Sequence, residues 1–164
     1  MFNTVGDVIE YPHITEQVML FGIEGWWGHV WVDLQNVLVD RVLDGGEYKS
    51  KLYICGDENG WNCDPSKTAD SITADYDFKG LLPPASGYVS SFIPGLILPL
   101  ASAGSATTYM CDYYYGPSND VSVRGVRVGG ALNYGSSAGP LVAFCLLSPG
   151  TRYANFAARL GLTL

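Results

Sequence analysis

Charge and histidine are scarce in this sequence. Only 15% of the 164 residues are Asp, Glu, Lys or Arg, and there are 2 His. Acidic residues outnumber basic ones, which gives a formal net charge of −7 at pH 7. A nucleic-acid-binding domain needs a basic face to meet phosphates, so this balance argues against nucleic acid as a partner.

Long apolar segments and long amphipathic helices are also missing. The longest apolar stretch is interrupted by Pro94 and Pro99, and it does not reach the roughly 20 residues of a membrane-spanning helix. We therefore expect no membrane insertion. The first residues lack the basic start and apolar stretch of a signal peptide. Residues 1–10 are expected to form an entry segment, either a short strand or the remnant of a linker.

Glycine and aromatic residues are abundant instead. The chain has 20 Gly, 11 Tyr and 4 Trp, and 48% of its residues are hydrophobic. This composition argues against disorder and predicts one domain over residues 1–164 with a hydrophobic core. Because long helices favour Ala, Leu, Glu and Lys at helical spacing, we expect a loop-rich domain that consists mainly of strands.

Local patterns predict several strands. Residues 36–43 and 48–54 are expected to pair through Asp44-Gly45-Gly46-Glu47, since Asp-Gly and Gly-Gly between apolar runs are hairpin signals. Residues 107–115 predict a further strand, whose last tyrosines are candidates to border a binding surface. A short helical turn is expected over residues 15–21, with Thr15 as its cap.

Residues 141–147 form an apolar run, LVAFCLL. Alternation assigns one face to Leu141, Ala143, Cys145 and Leu147, and the other to Val142, Phe144 and Leu146. Both faces are apolar. Either this strand is buried on both sides, or one face forms an exposed patch for a partner.

The C-terminal part of the chain carries an ordered frame of special residues. They are Arg124-Gly125, Gly129-Gly130, Gly135, Ala138-Gly139-Pro140, Pro149 and Ala158-Arg159-Leu160. This frame resembles the variable segment of diversity-generating retroelement target proteins. Those proteins are ligand binders of C-type-lectin fold, found on phage tail fibres and on some bacterial surfaces.

The resemblance implies a fold and a function. The fold is α+β and C-type-lectin-like, with a twisted antiparallel sheet, long loops and little helix. Residues 121–164 become the variable, ligand-binding segment, and a closing strand is expected over residues 158–162. The function is non-catalytic recognition of a host-cell surface protein or other macromolecular ligand, without a cofactor. The domain would form the receptor-binding tip of a phage tail fibre, within a larger oligomer, or a bacterial surface adhesin.

The variable positions of the family fall between the frame residues. The matching positions here are Ala131, Tyr134, Ser137, Val142, Phe144, Leu146, Leu147, Thr151, Tyr153 and Asn155. The family displays alternate residues of the 141–147 strand outward, which favours the exposed patch. At Leu147 the two interpretations conflict, because alternation turns it inward whereas the frame makes it variable.

A second element supports the same fold. Residues 22–33, GIEGWWGHVWVD, resemble the G-x-x-x-x-W-G-x-x-W-E-W element of C-type-lectin-like domains related to formylglycine-generating enzymes, but they end in Val32-Asp33. The tryptophans are expected to pack in the centre of the domain. Alternation places His29, Trp31 and Asp33 on one face of a strand.

Two other functions remain open. An enzyme of the formylglycine-generating type would use Cys111 or Cys145, although residues 141–147 offer no basic neighbour to activate Cys145 and no Ser/His/Asp or Cys/His signature is present. A calcium-dependent lectin would use the acidic residues of 55–78, which lack the calcium-loop frame and are expected to form a solvated loop. We therefore assign neither catalytic nor metal-binding residues.

The remaining cysteines allow a disulfide. Cys55 and Cys63 flank a loop rich in Gly and Asn, and they could pair in oxidising surroundings. The spacing does not fit a zinc site. Buried free thiols are the expected state of the cysteines.

Overall fold

The fold is built almost entirely from strands. The computed structural model describes residues 19–20, 23–24, 28, 30–56, 76–108, 112–117, 119–131, 133–134, 138–153 and 156–158. In these ranges there is no α-helix, and helical geometry is confined to a single 3₁₀ turn at residues 133–134. The sheet-dominated prediction is confirmed, whereas the α+β class is not supported. Within the same ranges, no helix is long and apolar enough to cross a membrane.

Twelve strands lie in the described ranges. They are β1 (Met19–Leu20), β2 (Ile23–Glu24), β3 (Trp31–Asp44), β4 (Glu47–Cys55), β5 (Tyr76–Leu82), β6 (Gly87–Tyr88), β7 (Ser91–Phe92), β8 (Pro99–Ala101), β9 (Tyr113–Tyr115), β10 (Ser122–Val128), β11 (Ala143–Phe144) and β12 (Phe156–Ala158). The helical turn predicted over residues 15–21 is wrong at its end, where β1 lies; its start is outside the described residues.

Eight of these strands form one mostly antiparallel sheet. Its order is β5-β4-β3-β10-β11-β9-β6, and β12 also pairs with β3. The two parallel pairs are β9 with β11 and β3 with β12. β1 pairs with β2, and β7 pairs with β8, in two small sheets. The long strand β3 thus pairs with β10 along one side. Along its other side, the first residues of β3 pair with β12 and the later residues pair with β4.

The hairpin between β3 and β4 follows from its turn residues. Gly45 and Gly46 have φ angles of 64° and 85°, which glycine adopts without steric cost and which a two-residue hairpin turn requires. Both strands were predicted from the sequence. β3 is longer than predicted and begins at Trp31.

A bulge divides β3 into two halves. Leu34 pairs with Val126 of β10, whereas Leu38 pairs with the preceding residue, Gly125. The intervening residues of β3 have no partner on β10, and Asn36 among them has a φ of 63°. The extra residues reverse the alternation, so that Leu34 and Val39 face the same core.

The sheet packs apolar side chains on both faces. On the first face the buried residues are Val39, Leu52, Leu82, Val89, Ile93, Leu98, Tyr114, Val126, Ala143 and Cys145. On the opposite face two smaller clusters lie side by side. One is Leu38, Tyr53 and Tyr76, and the other is Trp31, Ala131, Val142 and Phe144.

The alternation predicted for residues 141–147 is confirmed at its centre. Ala143 and Cys145 pack in the first core, and Val142 and Phe144 pack on the opposite face. All four are buried, so the run is covered on both sides. Only Ala143–Phe144 is strand, and Leu147 lies with Val142 and Phe144, so the alternation that grouped Leu147 with Ala143 and Cys145 is wrong at that residue.

Three further predictions are corrected. The strand predicted over residues 107–115 is limited to β9, since residues 107–108 form a turn and residues 109–111 lie outside the described ranges. The closing strand is β12, which begins two residues earlier than expected at Phe156. Cys55 is disulfide-bonded, so the free thiol expected there is wrong, whereas Cys145 is free and buried as expected. Cys63 lies outside the described residues, and its pairing with Cys55 stays a prediction.

Candidate functional site

An open aromatic pocket lies on the face of the sheet that carries Trp31 and Phe144, opposite the core around Val39. Its volume is about 250 Å³, and its lining residues are Trp31, Tyr134, Phe144, Leu147, Tyr153 and Phe156. Five of these six are aromatic, and they come from β3, β11, β12 and the loops around them. We refer to this site as the aromatic pocket.

Phe144 of the aromatic pocket belongs to a row of residues in register across the sheet. Asp33 of β3 pairs with Arg127 of β10, Arg127 pairs with Phe144 of β11, and Phe144 pairs with Tyr115 of β9. Residues in register point to the same face of a sheet. The strand pairing therefore places one ion pair and two aromatic rings in a line.

The rings of the aromatic pocket meet at steep angles. The ring centroids of Trp31 and Tyr134 are 5.1 Å apart with an interplanar angle of 85°, and those of Tyr153 and Phe156 are 5.1 Å apart at 87°. Phe144 lies tilted against Trp31 at 5.0 Å. The first two pairs have the favourable edge-to-face arrangement of aromatic side chains, and the rings together form walls in several orientations instead of one flat platform.

A turn brings two of these rings together. The N–H of Phe156 donates a hydrogen bond to the carbonyl oxygen of Tyr153 at 3.1 Å. Phe156 is then fixed by β12, which runs parallel to the start of β3 and pairs Phe156 with Trp31. Tyr153 remains 58% exposed, so it forms the open rim of the aromatic pocket.

Arg127 supports the aromatic pocket from below. Its side chain is fully buried, and its Nε lies 2.6 Å from Oδ1 of Asp33. Its Nη2 donates to the carbonyl oxygens of Ser148 and Thr151 at 3.5 and 3.3 Å. Its guanidinium carbon lies 4.3 Å from the centroid of the Phe156 ring, which is a cation–π contact. Arg127 thus joins β3, the 148–151 loop and β12.

Burial acts on both members of this ion pair. Loss of solvent raises the pKa of Asp33 above its usual range, and the nearby charges of Arg127 and Arg152 only partly oppose this. Burial also lowers the pKa of Arg127, against the attraction of Asp33. Arginine keeps its charge at neutral pH because its reference pKa exceeds about 12, so a cation lies under Phe156.

The frame residues recognised in the sequence contact one another. A side chain on Gly125 would lie 3.2 Å from Cα of Pro149, and one on Gly130 would lie 2.8 Å from Cβ of Ala138. A side chain on Gly139 would overlap Oδ1 of Asp112, which accepts a hydrogen bond from the N–H of Leu141 at 3.2 Å. Close approach of neighbouring segments therefore leaves no room for a side chain at Gly130 or Gly139, and it makes one at Gly125 a tight fit.

The same frame fixes the backbone that carries the predicted variable positions. The guanidinium of Arg124 donates to the carbonyl oxygen of Leu146 at 2.6 Å, and it is paired with Asp120. The N–H of Gly125 donates to the carbonyl oxygen of Leu147 at 3.0 Å, and that of Gly129 donates to Val142 at 3.2 Å. The frame residues thus donate hydrogen bonds to main-chain carbonyl oxygens at the predicted variable positions. These bonds do not depend on which side chains those positions carry.

The predicted ligand-binding residues fall into three groups. Tyr134, Phe144, Leu147 and Tyr153 line the aromatic pocket. Ala131 and Val142 are buried in the cluster beneath it, Leu146 packs against that cluster, and Thr151 is half-buried in the adjoining loop. Ser137 and Asn155 lie outside the described residues. The expected outward display is thus found at Tyr153 but not at Val142 or Phe144, which are buried.

Three important residues of the site were not assigned to ligand binding from the sequence. Trp31 was expected to fill the centre of the domain, and it is 1% exposed yet also lines the aromatic pocket. Phe156 directly follows the predicted variable position Asn155. Arg127 lies on β10 and carries no mark in the sequence that links it to this site. The pairing of β12 with β3, which no local pattern predicts, brings these residues together.

The geometry gives little support to a catalytic cysteine or to a metal-binding site. Cys145 is fully buried, and burial raises its pKa to about 12 although Arg127 is close enough to oppose the shift. Its thiol is therefore protonated at neutral pH and is a poor nucleophile. Cys111 lies outside the described residues. Within the described ranges, no group of three or more His, Cys, Asp or Glu side chains is arranged to hold a metal ion.

Comparisons of this chain with protein-family models, with curated proteins and with solved structures give no match.

Proposed function

We propose that this domain recognises a macromolecular ligand without catalysis, through the aromatic pocket and the C-terminal segment around it. We also propose that the domain has a C-type-lectin-like fold and belongs to the target proteins of diversity-generating retroelements. Its place would be the receptor-binding tip of a phage tail fibre, or the surface of a bacterium, with a host-cell surface protein as the partner. The observation that carries the proposal is that four of the ten positions expected to vary line one open pocket.

Among the described residues, these contacts of the frame do not involve the side chains that line the aromatic pocket, which supports this proposal. An added side chain would meet Pro149 at Gly125 and Ala138 at Gly130, so residues of the recognised frame lie close to one another. The backbone of residues 142–147 is fixed by hydrogen bonds to its carbonyl oxygens. Side chains at Leu147 and Tyr153 can change without breaking these bonds, as a diversifiable surface requires.

The composition of the aromatic pocket suits a protein ligand. Binding energy at protein interfaces is concentrated in a few large aromatic residues near the centre of the contact. The pocket supplies Trp31, Tyr134, Phe144, Tyr153 and Phe156 in one place. Its volume of about 250 Å³ lies below the range of about 300–1,000 Å³ that holds a drug-sized molecule. It therefore fits one inserted side chain of a partner better than a whole small molecule.

Tyr153→Ser tests the proposed site. We expect the variant to lose at least about tenfold in affinity for the cells that the wild-type domain binds, because truncation of an aromatic side chain that anchors a ligand costs about 2 kcal/mol or more. Fluorescently labelled protein, titrated on a panel of bacterial strains and read by flow cytometry, measures this. The thermal melt should change little, since Tyr153 is 58% exposed.

Phe78→Ser is the matched control. Phe78 is 55% exposed, and its ring centroid lies 5.8 Å from that of Tyr53, much as the ring of Tyr153 lies against Phe156. It lies on β5, which is one end of the sheet order and is separated from β3 by β4. Equal loss of cell binding in both variants, or unchanged binding in Tyr153→Ser, would refute the assignment of recognition to the aromatic pocket.

A further inference from the structure

The aromatic pocket has the geometry of a slot for one ring. Trp31 and Tyr134 stand at 85° to each other, as do Tyr153 and Phe156 at 87°. A planar group that enters between these pairs meets ring faces on some sides and ring edges on others, which is how aromatic rings prefer to contact each other. A saccharide needs polar partners around its hydroxyl groups, and five of the six lining residues are aromatic and the sixth is Leu147.

The charges around this slot are unbalanced in favour of the positive sign. Arg127 lies under the Phe156 ring, and its Nη1 is buried without a hydrogen-bond acceptor among the described residues. Arg152 is the exposed neighbour of Tyr153, and its Nη1 donates to the carbonyl oxygens of Pro149 and Thr151 at 3.0 and 3.3 Å. The anion identified beside these two arginines is Asp33, whose charge compensates only one of them.

This local excess of positive charge contrasts with the rest of the chain, whose net charge is −7. An aromatic cage that binds a cation uses the negative face of its rings, but one face of Phe156 is already occupied by the guanidinium of Arg127. A second cation in the aromatic pocket would be repelled by Arg127 and Arg152. A negative group at the rim would be attracted by them.

We propose, resting on the function proposed above, that the aromatic pocket binds an aromatic side chain flanked by an acidic residue on a protein ligand. The ring enters between Trp31, Tyr134, Tyr153 and Phe156, and the carboxylate lies at the rim beside Arg152. The same chemistry exists in free aromatic carboxylates, and the experiment below distinguishes the two sources.

Three small probes with the same ring and different charge test this ligand class. They are 4-hydroxyphenylacetate (negative), p-cresol (neutral) and tyramine (positive), titrated against the full chain and followed by ligand-observed NMR. We expect dissociation constants on the order of 1 mM, in the order 4-hydroxyphenylacetate, p-cresol, tyramine from tightest to weakest. Each step should be about two- to fivefold, as for exposed ion pairs, and should shrink in high salt.

Variants localise the effect. Arg152→Gln should remove most of the preference for 4-hydroxyphenylacetate over p-cresol and leave p-cresol binding unchanged, because the ring contacts remain. Tyr153→Ser should weaken all three probes, whereas Phe78→Ser should weaken none. Tightest binding by tyramine, binding that Tyr153→Ser does not affect, or no saturation of any probe at about 10 mM would each overturn the proposed ligand class.

Two capped peptides separate the sources. Acetyl-Asp-Tyr-Asp-amide should bind more tightly than acetyl-Gly-Tyr-Gly-amide and more tightly than 4-hydroxyphenylacetate; tight binding of the free acid with none of the acidic peptide would refute a protein ligand. A different result would contradict the proposed function without contradicting the ligand class. If the probes follow the expected order but Tyr153→Ser still binds cells like wild type, the ligand class stands and receptor recognition through this site does not.

Discussion

Single glycines determine how closely the segments around the aromatic pocket approach each other. Gly130 has a φ of +76°, and a side chain there would lie 2.9 Å from the backbone Cα of Ala138. Gly95 has nearly the same φ, +80°, with open space around it. The two positions therefore share the backbone strain of a left-handed conformation and differ in crowding.

Replacing each of these glycines with alanine separates the two costs. We expect Gly95→Ala to lower the free energy of unfolding by about 1–2 kcal/mol through the φ angle alone. Gly130→Ala should cost about 1–3 kcal/mol more, because the 138–140 segment must also move away. Urea denaturation of both variants measures the difference. Equal losses would mean that the contact of Gly130 with Ala138 does not limit the spacing of these segments.

At the level of elements, the bulge in β3 decides which residues face the aromatic pocket. Before the bulge, Trp31 and Asp33 share the pocket face; after it, Leu38 faces that side and Val39 faces the first core. Without the extra residues around Asn36, one half of β3 would turn its apolar side chains to the wrong face. The left-handed conformation of Asn36, with a φ of 63°, is tolerated by asparagine better than by most residues.

Substitutions at Asn36 test the bulge. Asn36→Gly should leave the free energy of unfolding within about 0.5 kcal/mol of wild type, because glycine adopts this φ freely. Asn36→Val should lower it by about 1–2 kcal/mol or more, since a β-branched residue is strongly disfavoured there. Chemical denaturation measures the free energy of unfolding of both variants, and their m-values should equal that of wild type. A valine variant as stable as the glycine variant would show that β3 can pair with β10 without the left-handed residue.

At the scale of the whole molecule, Cys145 is a reporter of global unfolding. It lies fully buried in the first core with Tyr114 and Val126, and burial raises its pKa from 9.0 to about 12. Alkylation needs the thiolate, so native Cys145 is protected both by burial and by protonation. Because the native state keeps this proton longer than the unfolded state, this thiol also makes stability fall as pH rises from about 9 towards 12.

We expect iodoacetamide to modify native Cys145 only through global opening of the sheet. The modification rate at pH 8, read by mass spectrometry of the peptide that contains Cys145, should rise with urea in parallel with the global unfolding equilibrium. The fully denatured chain is the control and should react at the rate of an ordinary cysteine. A rate that does not depend on urea would reveal a local opening near β11 instead.

The sequence predicts the local features of this molecule better than its long-range ones. Gly45-Gly46 identifies the hairpin, and the apolar alternation identifies the two faces of residues 142–145, because both depend on neighbours in the chain. The bulge at Asn36 and the pairing of β12 with β3 depend on distant segments, so Trp31, Arg127 and Phe156 could not be assigned to one site. Four of the positions between the frame residues line the aromatic pocket, but the frame did not indicate that Val142 and Phe144 are buried.

The parallel pairing of β12 with β3 also has a mechanical consequence. If the chain is stretched from both sides, the pull on the start of β3 at Trp31 and the pull on the end of β12 at Ala158 act in opposite directions along two parallel strands. This geometry loads the hydrogen bonds between the strands together, in shear, instead of peeling them apart one after another. Tension would therefore slide Phe156 past Trp31 and change the shape of the aromatic pocket before the rest of the sheet separates.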